Sequence, residues 1–268
     1  MLVIIRGAGD IATGIGHRLY MSGFDVIFLE KENPSMVRRK VSFSEAVYED
    51  EITIENLTGK LSDSKYKSLN LIKKGIVPVM IDPYGKYIEE FKPKIIVDGI
   101  LAKKNIGTYK DMAEIVIGVG PGFSAGEDVH TVVETKRGHM LGRVIYKGIP
   151  EPNTGIPGNI EGFTEERVLR AKSYGNIKVL KDIGTLVEKG DIVATIGECQ
   201  IETKISGVIR GMIRDKYYVY KGMKIGDVDP RGEAKYSYQI SDKARSVAGG
   251  VLEAIMYNLY RKNNNEIK

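Results

Sequence analysis

The chain is poor in the residues that build covalent or metal frameworks. Its 268 residues include one cysteine, Cys199, and three histidines, His17, His130 and His139. A single thiol excludes an internal disulfide framework and leaves no basis for a cysteine-built zinc site. Long apolar runs are also missing, and none approaches the span of a bilayer. The chain opens on MLVIIRGAGD, which goes straight into strand-like sequence with no basic leader, so a cytoplasmic, non-membrane protein is expected. Charge of one sign is not concentrated either. The net charge is +5, the lysines are scattered, and no recognition helix, zinc finger or RNA-binding sheet pattern is present. Nucleic acid is therefore not an expected partner. A hydrophobic fraction of 42% supports a real core and one large or two ordinary domains.

The first hundred residues alternate short apolar runs with helix-like periodicity. Leu2 to Arg6, Val26 to Leu29, Ile76 to Ile81 and Ile95 to Val97 read as buried strands, with a further short strand at Ile52 to Ile54. Ile11 to Met21, Tyr66 to Lys73 and Lys86 to Phe91 read as helices. The alternation predicts an α/β fold with a Rossmann-like parallel sheet. The stretch VIIRGAGDIATGIG sharpens this expectation. Gly7, Gly9 and Ala12 fit G-x-G-x-x-(G/A) directly between a strand and a helix, and Glu30 closes the second strand 23 positions after Gly7. In that pattern the first glycine makes the tight turn and the second lets a pyrophosphate approach the backbone. The small third residue lets helix and strand pack, and the helix N-terminus faces the phosphate. Gly7, Gly9, Asp10, Ala12, Thr13, Gly14 and Glu30 are thus candidate ligand-binding residues. Asp10 would repel a pyrophosphate unless it points away or helps hold a metal, and its ligand-free role, the one favoured, is helix N-cap. A Glu30 carboxylate on a ribose would favour an NAD-type ligand over a 2′-phosphate. Tight helix–strand packing explains the same glycines without any ligand.

A second glycine-rich stretch follows the strand Ile115 to Val119 and includes Gly120 and Gly122. Beyond it His130, Glu134 and His139 form H-x3-E-x4-H, with Asp128, Arg137 and Arg143 nearby. If Val129 to Glu134 is a strand, His130 and Glu134 share a face. Imidazole and carboxylate so placed are candidate acid/base groups, and the arginines could hold phosphate. The spacing matches no metal motif, so no metal ligands are assigned.

The chain resembles the accessory-protein family associated with selenium-dependent molybdenum hydroxylases. RGAGDIATGIGHRL, VRRKVSFSEAVYE, GPGFSAGEDVHTVVETKRGHMLGR, EPNTGIPGNIEGF and ISDKARSVAGGVLEAI carry the resemblance in order along most of the chain. It implies a role in maturing a xanthine-dehydrogenase-like client, with handling of molybdenum cofactor and selenium. It names a process rather than a reaction.

From Gly175 the pattern changes to short apolar strands between glycine turns. V-x-K-G-D-x-V at Val187 to Val193 is echoed at Val219 to Val228, which resembles the barrel-sandwich fold of biotinyl and lipoyl carriers. The hairpin near Gly197 to Gln200 lacks a carrier lysine and Lys204 is misplaced, so no lipoyl or biotinyl group is expected. Cys199 lies at that hairpin with nothing nearby in sequence to activate it. A final helix follows, capped by Ser241 or Asp242, with Gly249 and Gly250 inside it and fraying expected over residues 262–268.

These readings predict a Rossmann-like domain over 1–165, a barrel-sandwich-like β domain over 166–235 and a helix in 236–268 that packs back on the first domain or on a partner. The expected function is a maturation factor for a molybdenum hydroxylase client that binds a nucleotide or dinucleotide, NAD-type or a molybdenum cofactor dinucleotide. Two alternatives are an NAD-dependent oxidoreductase using His130 or His139 as acid/base, and a non-catalytic chaperone of the hydroxylase. A homo-oligomer is compatible with all three.

Overall fold

The computed structural model describes residues 1–261; the fraying expected for 262–268 lies outside them. Two compact units are present. The first comprises Met1–Pro34, Ser42–Asn153 and the chain from Ile240 on, and the second comprises Ser35–Val41 and Thr154–Gln239.

The first unit is built on β1 (Leu2–Arg6), β2 (Asp25–Glu30), β3 (Glu51–Ile54), β4 (Leu57–Ser62), β5 (Val77–Ile81), β6 (Ile95–Asp98), β7 (Ile115–Val119), β8 (Thr131–Val133) and β9 (Val144–Ile145). Its helices are α1 (Asp10–Met21), α2 (Ala46–Glu49), α3 (Lys65–Lys73), α4 (Lys86–Phe91) and α5 (Asp242–Met256). The strands form one nine-stranded sheet in the order β3-β4-β5-β2-β1-β6-β7-β8-β9. Central stretches such as VII of β1 and VIFL of β2 are apolar at every position because both faces are covered. Ile4, Ile27, Met80 and Ile96 pack against Ile88 and Phe91 of α4 on one face. On the other, Ile5 and Phe28 lie so close to α1 that a Cβ on Gly16 would sit 2.2 Å from the Phe28 ring.

The Rossmann-like parallel sheet expected above is corrected by this topology. The sheet is mixed: β3 and β4 form an antiparallel hairpin, and β9 is antiparallel to β8. The alternation of strand and helix also stops after β6. The connections from β6 to β7 and from β7 to β8 contain only a single 3-10 turn, Lys110–Met112, and no α-helix. The face they leave bare is covered by α5, which packs on α1, β7 and β8. The sequence pattern gives a C-terminal helix that packs back on the first domain or on a partner, but not which strands it covers. At the start of α5, Ser241 is the N-cap and accepts from the Ala244 N–H at 3.1 Å. Gly250 is accounted for by a close approach, since a Cβ there would lie 2.1 Å from the Gly142 carbonyl oxygen. Gly249 faces open space.

The second unit holds β10 (Val168–Arg170), β11 (Gly175–Val179), β12 (Leu186–Val187), β13 (Ile192–Ile196), β14 (Cys199–Glu202), β15 (Gly207–Met212), β16 (Tyr218–Val219) and β17 (Lys224–Asp229). They form two four-stranded sheets, β10-β17-β15-β12 and β14-β13-β11-β16, antiparallel at every pairing. The barrel-sandwich-like domain is corrected as well: no strand pairing joins one sheet to the other, and no barrel closes. The strands are too short and irregular to wrap, with register shifts in three of the pairings. Ile177, Val193, Ile209, Ile225 and Val228 fill its core. Cys199 is exposed at the start of β14, just after the β13–β14 turn. No helix among the described residues is long and apolar enough to cross a membrane.

Candidate functional site

In an open α/β sheet the carboxyl ends of parallel strands form a crevice where neighbouring strands lead off in opposite directions. Here that place lies between β1 and β6, and the Gly7–Gly9 turn occupies it. Gly7 needs to be glycine: its φ is +85°, and a Cβ would meet the Ile100 backbone at 3.0 Å. Its N–H donates to the Leu29 carbonyl at 2.7 Å. The Ala8 carbonyl accepts from the Ser44 N–H and Oγ, both at 2.9 Å, and from Thr13 Oγ1 at 3.1 Å. The turn is therefore clamped by Thr13 of the motif and by Ser44, which the sequence pattern did not single out.

Glu30 is part of the same clamp. Its Oε2 accepts from the Ala8 N–H at 3.0 Å and its Oε1 from the Lys31 N–H at 2.8 Å. Burial raises its pKa despite those two donors. The carboxylate thus ties β2 to the glycine turn. Most of the remaining motif is engaged in packing. Ala12 lies against Gly99, the Thr13 hydroxyl accepts from the Phe43 N–H at 2.9 Å, and a Cβ on Gly14 would sit 2.8 Å from Ala244 Cβ of α5. Asp10 is the first residue of α1 and not its cap, because the N-cap is Gly9.

Gly9 differs from its neighbours. Its φ of −67° suits any residue, and nothing lies within 4 Å of where its Cβ would be. Neither conformation nor packing within the chain calls for glycine there. It offers no side-chain bond to the first turn of α1.

A buried network stands beside this turn. Arg6, at the end of β1, forms an ion pair with Asp98 at the end of β6, at 3.5 Å. Thr108 bridges them, accepting from Arg6 and donating to Asp98 Oδ2 at 2.5 Å. Burial raises the Asp98 pKa, with Thr108, Arg6 and the Ile100 N–H working against it. Leu101 and Lys103, just beyond, have φ of +58° and +65°, a conformation that L residues adopt at a cost. Lys103 and Lys104 are exposed. Gly122 brings the next loop against this one, since a Cβ on it would sit 2.6 Å from Lys104 Cα. Gly120 lies after β7 with its N–H on the Val133 carbonyl at 2.9 Å. The Arg6–Asp98–Thr108 network had one sequence signal, a lone charged residue at the end of an apolar strand in IIR and again in IIVD.

The histidine, glutamate and arginine candidates are not gathered at one point. β8 is only three residues long, so His130 precedes it at the amino edge while Glu134 follows it at the carboxyl edge. Four residues of strand separate them by about 13 Å. His130 Nδ1 accepts from the Val116 N–H at 3.0 Å. The buried Glu134 carboxylate accepts from the N–H groups of Thr135, Lys136 and Glu151, each at 2.7 Å. Arg137 forms a two-pronged pair with Asp242 at 2.7 and 2.8 Å. Asp128 accepts from the Ser124 N–H at 2.9 Å. His139 and Arg143 are exposed. Among the described residues no group of three or more His, Cys, Asp or Glu is placed to hold a metal ion.

No family model matches the chain. It is 49% identical over 260 residues to the uncharacterized protein YqeB of Escherichia coli K12. The match covers 97% of this chain and 48% of YqeB, so the chain spans about half the length of that curated relative. Among solved structures, the product-bound ectoine utilization protein EutE of Ruegeria pomeroyi aligns at 10% identity with a TM-score of 0.26, over 78% of this chain and 59% of that one. An aspartoacylase family protein of Mesorhizobium loti aligns at 12% identity with a TM-score of 0.24, over 79% and 58%. At such TM-scores these likenesses carry no argument about fold or chemistry.

Proposed function

We propose that the carboxyl edge of the large sheet binds a phosphate-bearing nucleotide or dinucleotide, and that the protein uses it in the maturation of a molybdenum-containing hydroxylase. Gly9 carries the ligand half of this reading. A glycine demanded by neither backbone nor packing, at the N-cap of a twelve-residue helix, leaves room for close approach of a phosphate to backbone N–H groups. The exposed Lys103 and Lys104 add positive charge to the loop that follows β6. A molybdenum cofactor in its dinucleotide form has the pyrophosphate such a turn would hold. The maturation half rests on the sequence resemblance alone.

Complementation tests both halves. Cells lacking this chain are supplied with wild type or Gly9→Asp, and hydroxylase activity of the client is assayed. Wild type is expected to restore activity and Gly9→Asp to fail at equal protein level. Hydroxylase activity that is unchanged by deletion would overturn the maturation role. Full rescue by Gly9→Asp would overturn the ligand site.

A further inference from the structure

The second unit gathers aromatic rings and lysines on one sheet face. Along β11 and β16 the side chains alternate. Ile177, Val179, Tyr217 and Val219 pack into the core of that unit. Tyr174, Asn176 and Lys178 on one chain, and Lys216, Tyr218 and Tyr220 on the other, therefore lie on the outward face. Gly175 pairs with Val219 and Asn176 with Tyr218, and the same register sets Tyr174 opposite Tyr220. Tyr174 is 65% exposed, Tyr218 63% and Tyr220 58%, so most of each ring meets water. Among the described residues none of these three side chains has a hydrogen bond, a ring contact or a cation–π contact.

Lysines close both ends of this ribbon. At one end the Ile177 N–H donates to the Tyr217 carbonyl at 3.0 Å and the Lys216 N–H to the Ile177 carbonyl at 2.8 Å, which brings Lys216 and Lys178 together. At the other the Gly222 N–H donates to the Ala171 carbonyl at 2.8 Å, which brings Lys221 beside Lys172. All four lysines are exposed, and none has an ion pair among the described residues. Against them stand Asp215, whose Oδ1 accepts from the Val179 N–H at 2.8 Å, and Glu198 in the β13–β14 turn. Like charges on neighbouring strands destabilise a sheet, so the arrangement favours an anion laid along it. Lys172 to Lys178 spans about 20 Å at the rise of a strand, a track for an extended chain rather than for one phosphate. Scattered along the sequence, these lysines raised no expectation of a nucleic-acid partner; the pairing of β11 with β16 collects them. A protein partner fits this face less well, because lysine is depleted where proteins meet. Open rings with cations alongside suit stacked bases and their phosphates.

We propose that the outward face of β11 and β16 binds single-stranded nucleic acid, with Tyr174, Tyr218 and Tyr220 stacking on bases and the flanking lysines meeting phosphates. The claim does not depend on the ligand reading of the first unit.

The test is fluorescence anisotropy of the full chain with fluorescein-labelled dodecamers of oligouridine and of oligothymidine, and with a labelled oligoglutamate of equal charge. At least one oligonucleotide should bind wild type with a dissociation constant below about 100 μM at about 50 mM salt. Tyr218→Ala should weaken that binding at least about fivefold, and Tyr218→Phe, which keeps the ring, should stay within about twofold of wild type. Tyr174→Ala and Tyr220→Ala lie just outside the two strands and carry the test if Tyr218→Ala does not fold. Replacing Lys172 and Lys178 with glutamine should flatten the dependence of log Kd on log salt by about 1.4. The same change at Lys73 and Lys74, exposed at the end of α3 in the first unit, should leave the affinity within about twofold of wild type. Tighter binding of the RNA or of the DNA identifies the source, and either supports the site. The proposal is overturned if neither oligonucleotide binds, if the folded alanine variants bind as wild type does, or if oligoglutamate binds as tightly as the oligonucleotides, which would make the face a dock for an acidic peptide.

Discussion

Replacing Gly9 with aspartate should separate stability from ligand binding in opposite directions. The position is an N-cap with φ −67° and ψ −179°, and its Cβ would meet nothing within 4 Å. Aspartate is among the best N-cap residues and ranks above glycine by a few tenths of a kcal/mol. A negative charge at a helix start adds about 0.3–1 kcal/mol, part of which repulsion from the adjacent Asp10 offsets. The folded protein should therefore be unchanged or up to about 1 kcal/mol more stable, a rise of no more than roughly 4 °C in Tm for a domain of this size. Binding should respond far more strongly. A carboxylate about 4 Å from one phosphate charge costs about 4 kcal/mol at an effective dielectric constant near 20. That is about a thousandfold in affinity, and Gly9→Asn, with similar bulk and no charge, should lose less. Thermal melts give the first quantity and calorimetric titration the second. The reasoning is refuted if Gly9→Asp binds nucleotide within threefold of wild type. A clear loss of Tm would refute the open space in front of Gly9.

The adjacent glycines of α5 should answer with opposite signs. In urea unfolding, Gly249→Ala should stabilise by about 1 kcal/mol through helix propensity, whereas Gly250→Ala, with its Cβ driven onto the Gly142 carbonyl and Val133, should destabilise by about 1–3 kcal/mol. Glu134→Gln replaces one acceptor oxygen with a donor facing backbone N–H groups, and should cost about 1–3 kcal/mol of stability; equal denaturation midpoints would sink that account. Because burial raises Asp98 above its ordinary 3.8, the folded state holds this proton more tightly than the unfolded one. Its contribution is complete below about 3.8 and is lost as pH rises through the folded value. Asp98→Asn should remove that part of the decline, and Tm–pH curves of identical slope for the two proteins would contradict it.

Local chemistry was legible in the sequence where one element explains itself. VII, VIFL and IVIGV are apolar throughout and form buried strands, and Ser241 caps α5 as serine caps do. The hairpin β3–β4 was half hidden, because its turn residues Glu55 and Asn56, with φ of +46° and +69°, lack the Asn-Gly signature of such turns. Long-range relations were not legible. Arg6 meets Asp98 and Thr108 across about a hundred residues, and the C-terminal helix, expected to pack back on the first domain or on a partner, gave no sign that β7 and β8 are the strands it covers. Period-two reasoning put His130 and Glu134 on one face of a strand, but the strand is so short that they end at opposite edges of the sheet. The glycine motif could be seen, but not which of its members the fold itself requires. That distinction needed the neighbours of each Cβ, and only Gly9 had none.

The central claim is that the space before Gly9 receives a phosphate. Calorimetric titration of the wild-type chain with NAD, NADP, ATP, CTP and GTP, each repeated on Gly9→Asp, tests it most directly. The account predicts micromolar binding of at least one of them to wild type, and its loss in the variant. No heat from any of the five up to about 1 mM, or equal binding by both proteins, would contradict it.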